Sequence, residues 1–156
     1  MDKIKWCANQ SQGISIVEPD VKLSKEYMRK AFDALKTSGE VSSIDWRIST
    51  TYYAMYYALY AVLVRIGVKC EIHDCTIEFM TMFLMDKYSV QDVELIRTAK
   101  KMRIDSQYYV GRHVSELPYD DVKEFIMKSE HVISTINPSV TSAIRLDLQR
   151  TLGLQV

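Results

Sequence analysis

The run from Thr50 to Val64 constrains this chain more than any other stretch, because as a helix it sorts two kinds of side chain onto two sides. At about 100° per residue, Tyr52, Tyr53, Tyr56, Tyr57 and Tyr60 fall within an arc of roughly 140°. Ala54, Met55, Ala58, Ala61 and Val62 take the opposite side. Small residues allow a neighbouring helix to approach closely, whereas a phenol buries a large apolar ring and still needs a partner for its hydroxyl. A helix with two such sides belongs at the centre of a bundle.

The rest of the chain is consistent with that reading. Its 156 residues suffice for one domain with a substantial core, and five Gly and three Pro predict long helices with few turns. Twenty basic and twenty acidic residues cancel, so any contact with nucleic acid must rest on a local patch rather than a global field. Three cysteines, Cys7, Cys70 and Cys75, are an odd and sparse set that suits reduced thiols in a cytoplasm. Met1 to Gln12 has no continuous apolar core, so no signal peptide is expected. The uncharged run Ile48 to Val64 is short for a bilayer and rich in hydroxyls, which makes it a buried bundle helix rather than a membrane span.

Residues 1–22 are weakly patterned and read as an N-terminal extension with a short helix near Ile4 to Cys7. A bundle over 23–137 and a helical tail over 138–156 follow. Ser24 is the expected cap of the first long helix, which should stop near Ser38-Gly39. The second runs from about Ser43 to Ile66 and ends at Gly67. Asp74 is the expected cap of a third helix through Phe79, Phe83 and Met85, and Ser89 starts a fourth. A looser segment from Asp105 to Leu117 should precede a fifth helix begun at Pro118. Asn137-Pro138 interrupts it before a sixth, over Ser139 to Leu152, closed by Gly153. No strand-period segment competes, and the fold class is all-α, an up-and-down bundle of about five core helices plus a C-terminal helix.

Four constellations could carry chemistry. The tyrosine side can serve as core, as a subunit contact or as a cleft that stacks bases, and periodicity alone does not choose among them. Cys70, His73, Asp74 and Cys75 have zinc-ligand types, but four groups so close in sequence poorly surround one ion, so neither metal nor cofactor is expected. Arg97, Lys100 and Lys101, followed by Arg103, Arg112 and His113, make the one local basic concentration, either a solvated helix side or a phosphate surface. Asp120 and Asp121 suit a helix N-terminus better than paired acid/base work.

These residues resemble the HEPN proteins (higher eukaryotes and prokaryotes nucleotide-binding), especially their small single-domain prokaryotic branch. The main anchor is Thr51-Tyr52-Tyr53-Ala54-Met55-Tyr56-Tyr57-Ala58, similar to the family's central-helix segment, followed by Leu63, Gly67 and His73. The second is Arg103-Ile104-Asp105-Ser106-Gln107-Tyr108, similar to the family's arginine followed by an Asp-Tyr pair, with Gln107 standing where Asp is usual. The resemblance implies a five-helix bundle, commonly a homodimer, often encoded beside a minimal nucleotidyltransferase as a toxin and antitoxin pair. Several branches are metal-independent ribonucleases with an R-x(4–6)-H motif. Here Arg65 and His73 are separated by seven residues and Arg103 and His113 by nine, so that motif is absent.

The resulting expectation is a cytoplasmic, homodimeric protein that binds nucleotide or RNA, or a nucleotidyltransferase partner, without catalysis of its own. Arg103 and Tyr108, with Arg97, Lys100, Lys101 and Arg112, would form the anion-binding surface. Two alternatives stand beside it. One is a ribonuclease in which Arg103 steadies phosphate while His73 or His113 moves the proton. The other is a structural interaction module.

Overall fold

The computed structural model describes residues 2–111 and 115–154. Seven helices and one two-stranded ladder make up the described chain: α1 (Lys3–Ala8), β1 (Ser15–Ile16), α2 (Val21–Glu40), α3 (Ile44–Ile66), β2 (Val68–Lys69), α4 (His73–Phe83), α5 (Val90–Tyr108), α6 (Tyr119–Thr135) and α7 (Pro138–Leu152). The fold is a helical bundle. Its centre is α3, which packs against α2, α4, α5, α6 and α7.

Both sides of α3 are used. Ala54, Ala58 and Ala61 are fully buried, and so is Tyr52, while Tyr56 and Tyr60 are nearly so. Tyr53 and Tyr57 are half-buried at the edge of the packed surface. The helix ends at Gly67, whose φ of +88° is the left-handed conformation that closes a helix without penalty only for a residue lacking Cβ. Space enforces the same choice: a Cβ there would lie 2.5 Å from Val17 O and 2.9 Å from Pro19 N, and against Arg145 Nη1. Gly67→Ala is therefore expected to cost about 2–3 kcal/mol, from the left-handed penalty plus displaced backbone. A urea titration giving an unchanged midpoint would contradict it.

Several local expectations require correction. Asp20, not Ser24, caps α2, its Oδ1 accepting from Leu23 N–H at 2.8 Å. Ser24 lies inside the helix and is buried, where its hydroxyl donates to Ala61 O at 2.8 Å and ties α2 to α3. Gly39 does not stop α2, which continues to Glu40. Ile72 occupies the cap position of α4 and Asp74 falls in the first turn, where a carboxylate suits the helix dipole; the helix ends at Phe83, before Met85. The segment from Asp105 is not loose at its start, because α5 runs on to Tyr108. Pro118 is the cap residue of α6 rather than part of its first turn. The short β1–β2 ladder pairs Ser15 with Lys69 and Ile16 with Val68 in antiparallel register.

Ser89 starts α5 as expected. Ser89 and Asp92 form a reciprocal capping box at α5, and Asn137 Oδ1 accepts from Val140 N–H at 2.9 Å to start α7 one residue earlier than expected, at Pro138. The cysteines behave differently from the expectation of reduced thiols. Cys7 and Cys75 form a disulfide across 68 residues, joining α1 to α4, and Cys70 is the one free, buried thiol among the described residues. An odd count hid a pair that the fold brings together. No helix among the described residues is long and apolar enough to cross a membrane.

Candidate anion site at the tyrosine helix

Three elements meet at the edge of α3. Tyr52, Tyr53 and Tyr56 come from α3, His73 is the first residue of α4, and Arg103 lies in the last two turns of α5. His73 stacks on Tyr56 with ring centroids 3.9 Å apart, and its Nδ1 shares a 2.7 Å hydrogen bond with the Tyr52 hydroxyl. The Arg103 guanidinium lies over the same Tyr52 ring at 5.0 Å and over Tyr53 at 5.4 Å. One of its terminal nitrogens donates to the Tyr53 hydroxyl at 3.0 Å. Its Nε is buried and has no hydrogen-bond partner among the described residues. Arg103 and His73 thus flank one tyrosine ring.

Burial and charge set the protonation of this cluster. Burial, followed by the neighbouring Arg103 and Lys100 charges, lowers His73 from 6.5 to about 4, against a smaller opposing effect of Asp74. Burial raises the Tyr52 and Tyr56 phenols well above their usual range, so they stay protonated. At neutral pH the cluster is one neutral imidazole, protonated phenols and one fixed cation. Lys100 pairs with Asp74 at 2.8 Å, which binds α5 to the first turn of α4 and holds the Asp74 carboxyl below its ordinary value.

The low value of His73 has a measurable consequence. Between about pH 6.5 and 4 the unfolded chain takes up a proton that the folded chain refuses, so stability is full above that window and falls as pH drops through it. The contribution is about 1–2 kcal/mol once its partial exposure is discounted. A His73→Phe variant should flatten this part of the stability profile, read from denaturant midpoints; parallel profiles for the two proteins would assign the proton to another group.

The expected anion surface is only partly assembled. Arg103 turns to Tyr53 rather than Tyr108, which lies about 140° further round the helix and is 74% exposed. Lys100 is paired with Asp74, and Lys101 with Asp105 at 3.2 Å, which takes charge out of the basic side. Arg97, Lys100 and Lys101 do share a shallow pocket with Lys3 and Asp74, beside the first turn of α4. Arg112 and His113 lie outside the described residues. The C-x-x-H-D-C cluster is dispersed, since Cys75 bonds to Cys7 and His73 to Tyr52, and the Cys70 thiol donates to Ile72 O at 3.3 Å. Among the described residues no group of His, Cys, Asp and Glu is arranged to hold a metal ion.

Sequence reasoning missed the partners of Arg103. Tyr53 is 50 residues away and no local spacing could join them. A guanidinium with an unfilled donor beside a neutral imidazole combines the group types of a candidate oxyanion site, and the imidazole adds a group that can accept a proton.

Comparison with known proteins bears on the role of this cluster. Residues 22–138 match the family model of the HEPN domain. No curated protein is similar enough to the chain to count as a relative.

Proposed function

Because this chain belongs to the HEPN domain family, whose functions concern nucleotides and RNA, we propose that it binds RNA or a nucleotide by a phosphate held at Arg103. The buried, unfilled Nε of Arg103 carries this reading. Tyr53 fixes one end of the guanidinium, the Tyr52 and Tyr53 rings lie beneath it, and Nε, closed off in the unliganded protein, can donate to a phosphate oxygen once the guanidinium shifts to expose it. Arg97 and the adjacent lysines supply a separate, weaker basic surface further round α5, beside the first turn of α4.

The proposal extends to a cytoplasmic homodimer that acts with a minimal nucleotidyltransferase as a toxin and antitoxin pair, and is a binding protein rather than a catalyst when alone. The partner and the dimer rest on the resemblance. The cytoplasmic setting rested on three reduced thiols, and the Cys7–Cys75 bond removes that support.

A second reading, metal-independent RNA cleavage, is favoured by one observation: His73 is neutral and tied to the ring that Arg103 covers. In that reaction His73 takes the proton of the ribose 2′-hydroxyl, the 2′-oxygen bonds to phosphorus, and the 5′-oxygen leaves and is protonated by water, giving a cyclic phosphate. The two readings separate on end-labelled RNA incubated with the protein in chelator. Binding of intact RNA is the expected result; cleavage that vanishes in His73→Ala would establish the second reading, and neither binding nor cleavage would end both.

A further inference from the structure

An open groove of about 590 Å³ runs along the junction of α2, α3 and β2, next to the Arg103 cluster. Tyr27 and Tyr57 are two of its walls, both half-buried, and Tyr60 meets Tyr27 edge-on with centroids 4.8 Å apart. The Lys30 ammonium sits 5.2 Å from the Tyr57 ring and 5.8 Å from the Tyr27 ring, and forms no ion pair among the described residues. The segment holding Val17, Glu18 and Asp20 closes another side. That segment is pinned: Val17 N–H donates to Gly67 O at 2.9 Å, Asp20 N–H donates to Val64 O at 3.2 Å, and Arg145 donates to Val17 O.

The groove and the Arg103 cluster share a wall of packed rings. Tyr57 packs against Tyr53 with centroids 5.8 Å apart, and Tyr53 holds Arg103. Tyr56 lines the groove while its ring stacks on His73. A strand whose phosphate rests on Arg103 would cross the half-buried Tyr53 and Tyr57 edge of α3 to enter the groove. The volume suits a base with its ribose rather than a duplex. Phenol rings offer stacking to any base, and Lys30 offers one cation for a following phosphate.

The carboxylates of the rim decide what enters. Asp20 is engaged at the α2 cap and Glu71 pairs with Lys69 at 3.0 Å, whereas Glu18 has no ion-pair partner among the described residues. A free carboxylate repels a second run of backbone but accepts a hydrogen bond from a base amino group. Resting on the phosphate-binding reading above, we propose that this groove seats one nucleobase of single-stranded RNA, stacked on Tyr57 and Tyr27, with an amino-bearing base preferred over uracil through Glu18. Val17, Glu18 and Asp20 precede the matched residues 22–138, so this wall is supplied by the N-terminal extension.

The test uses the full chain in chelator with a short labelled single-stranded RNA, in which one abasic spacer is moved along the strand. Loss of a stacked base should weaken wild-type binding about tenfold at one spacer position and little elsewhere. Tyr57→Leu should bind the intact and abasic strands alike, at the weaker level, and Tyr57→Phe should restore the difference. Oligo(A) should be preferred over oligo(U), and Glu18→Gln should reduce that preference. The spacer walk on wild-type protein decides the matter even if Tyr57→Leu fails to fold. RNA binding that requires Arg103 but ignores spacer position would overturn the groove while leaving the phosphate site intact. Absence of RNA binding by the wild-type protein would overturn both.

Discussion

Replacing both Cys7 and Cys75 by alanine, or reducing the bond between them, should lower the thermal midpoint by roughly 10 °C. The cross-link closes a loop across 68 residues, and the loss of chain entropy in the unfolded state on closing one of that length is worth about 4 kcal/mol. The native side gives little back on reduction. Outside this bond, α1, which packs against α4 and α7, is held by its buried Ile4 and by a 3.2 Å ion pair between Lys3 and the partly buried Glu78. An ion pair with one exposed member adds a few tenths of a kcal/mol. The measurement is a pair of melting curves for wild type with and without reductant, beside the double alanine variant, which should not respond to reductant. Coincident wild-type curves would mean that the bond does not form in the folded protein. Since Cys75 lies two residues after His73 in the first turn of α4, the same comparison shows whether the cross-link steadies the site as well as the fold.

The second large effect is on binding. Arg103→Ala should weaken RNA affinity by about 30- to 100-fold, equivalent to roughly 2–3 kcal/mol for a charge-assisted hydrogen bond made in a partly buried setting. The loss should be concentrated in one residue, because Lys100 and Lys101 are already paired with Asp74 and Asp105 and contribute less to phosphate. Arg103→Lys keeps the charge but has no Nε–H and no planar fork, and should recover only a small part of the affinity. Part of any change in stability will come from lost packing, since the guanidinium covers the rings of Tyr52 and Tyr53; a melting curve for each variant separates that from binding. Equal affinity for Arg103→Ala and wild type would remove Arg103 from the site.

What could be read from the sequence was local. The two-sided helix around Tyr56, its end at Gly67, the helix start at Ser89 and the break at Asn137-Pro138 all depend on residues within a turn or two of each other. The cap of α2 was not legible in the same way, because Asp20 and Ser24 are both good capping residues four positions apart. Tertiary structure decided between them, as the carbonyl of Ala61 takes the Ser24 hydroxyl. The continuation of α5 through Asp105 to Tyr108 was hidden by a polar stretch without apolar periodicity.

The site was legible in its parts but not in its pairing. Arg103, His73 and the tyrosines were each singled out by residue type, yet Arg103 was grouped with its sequence neighbour Tyr108. The fold instead joins α5 to α3 and α4, so that Tyr53 and Tyr52 become the partners of Arg103 and His73. The disulfide escaped for the same reason: a contact across 68 residues leaves no periodic trace, and an odd cysteine count argued against a pair.

The central claim is that the unfilled Nε of Arg103 receives a phosphate oxygen. The most direct test is to follow the Arg103 Nε–H resonance by proton–nitrogen NMR, assigned by its absence in Arg103→Lys, while a short single-stranded RNA is titrated into the full chain in chelator. A progressive shift of that resonance, saturating with the fraction of RNA bound, is the expected result. An Arg103 resonance that stays in place while RNA binds would put the phosphate elsewhere on the molecule and contradict the account.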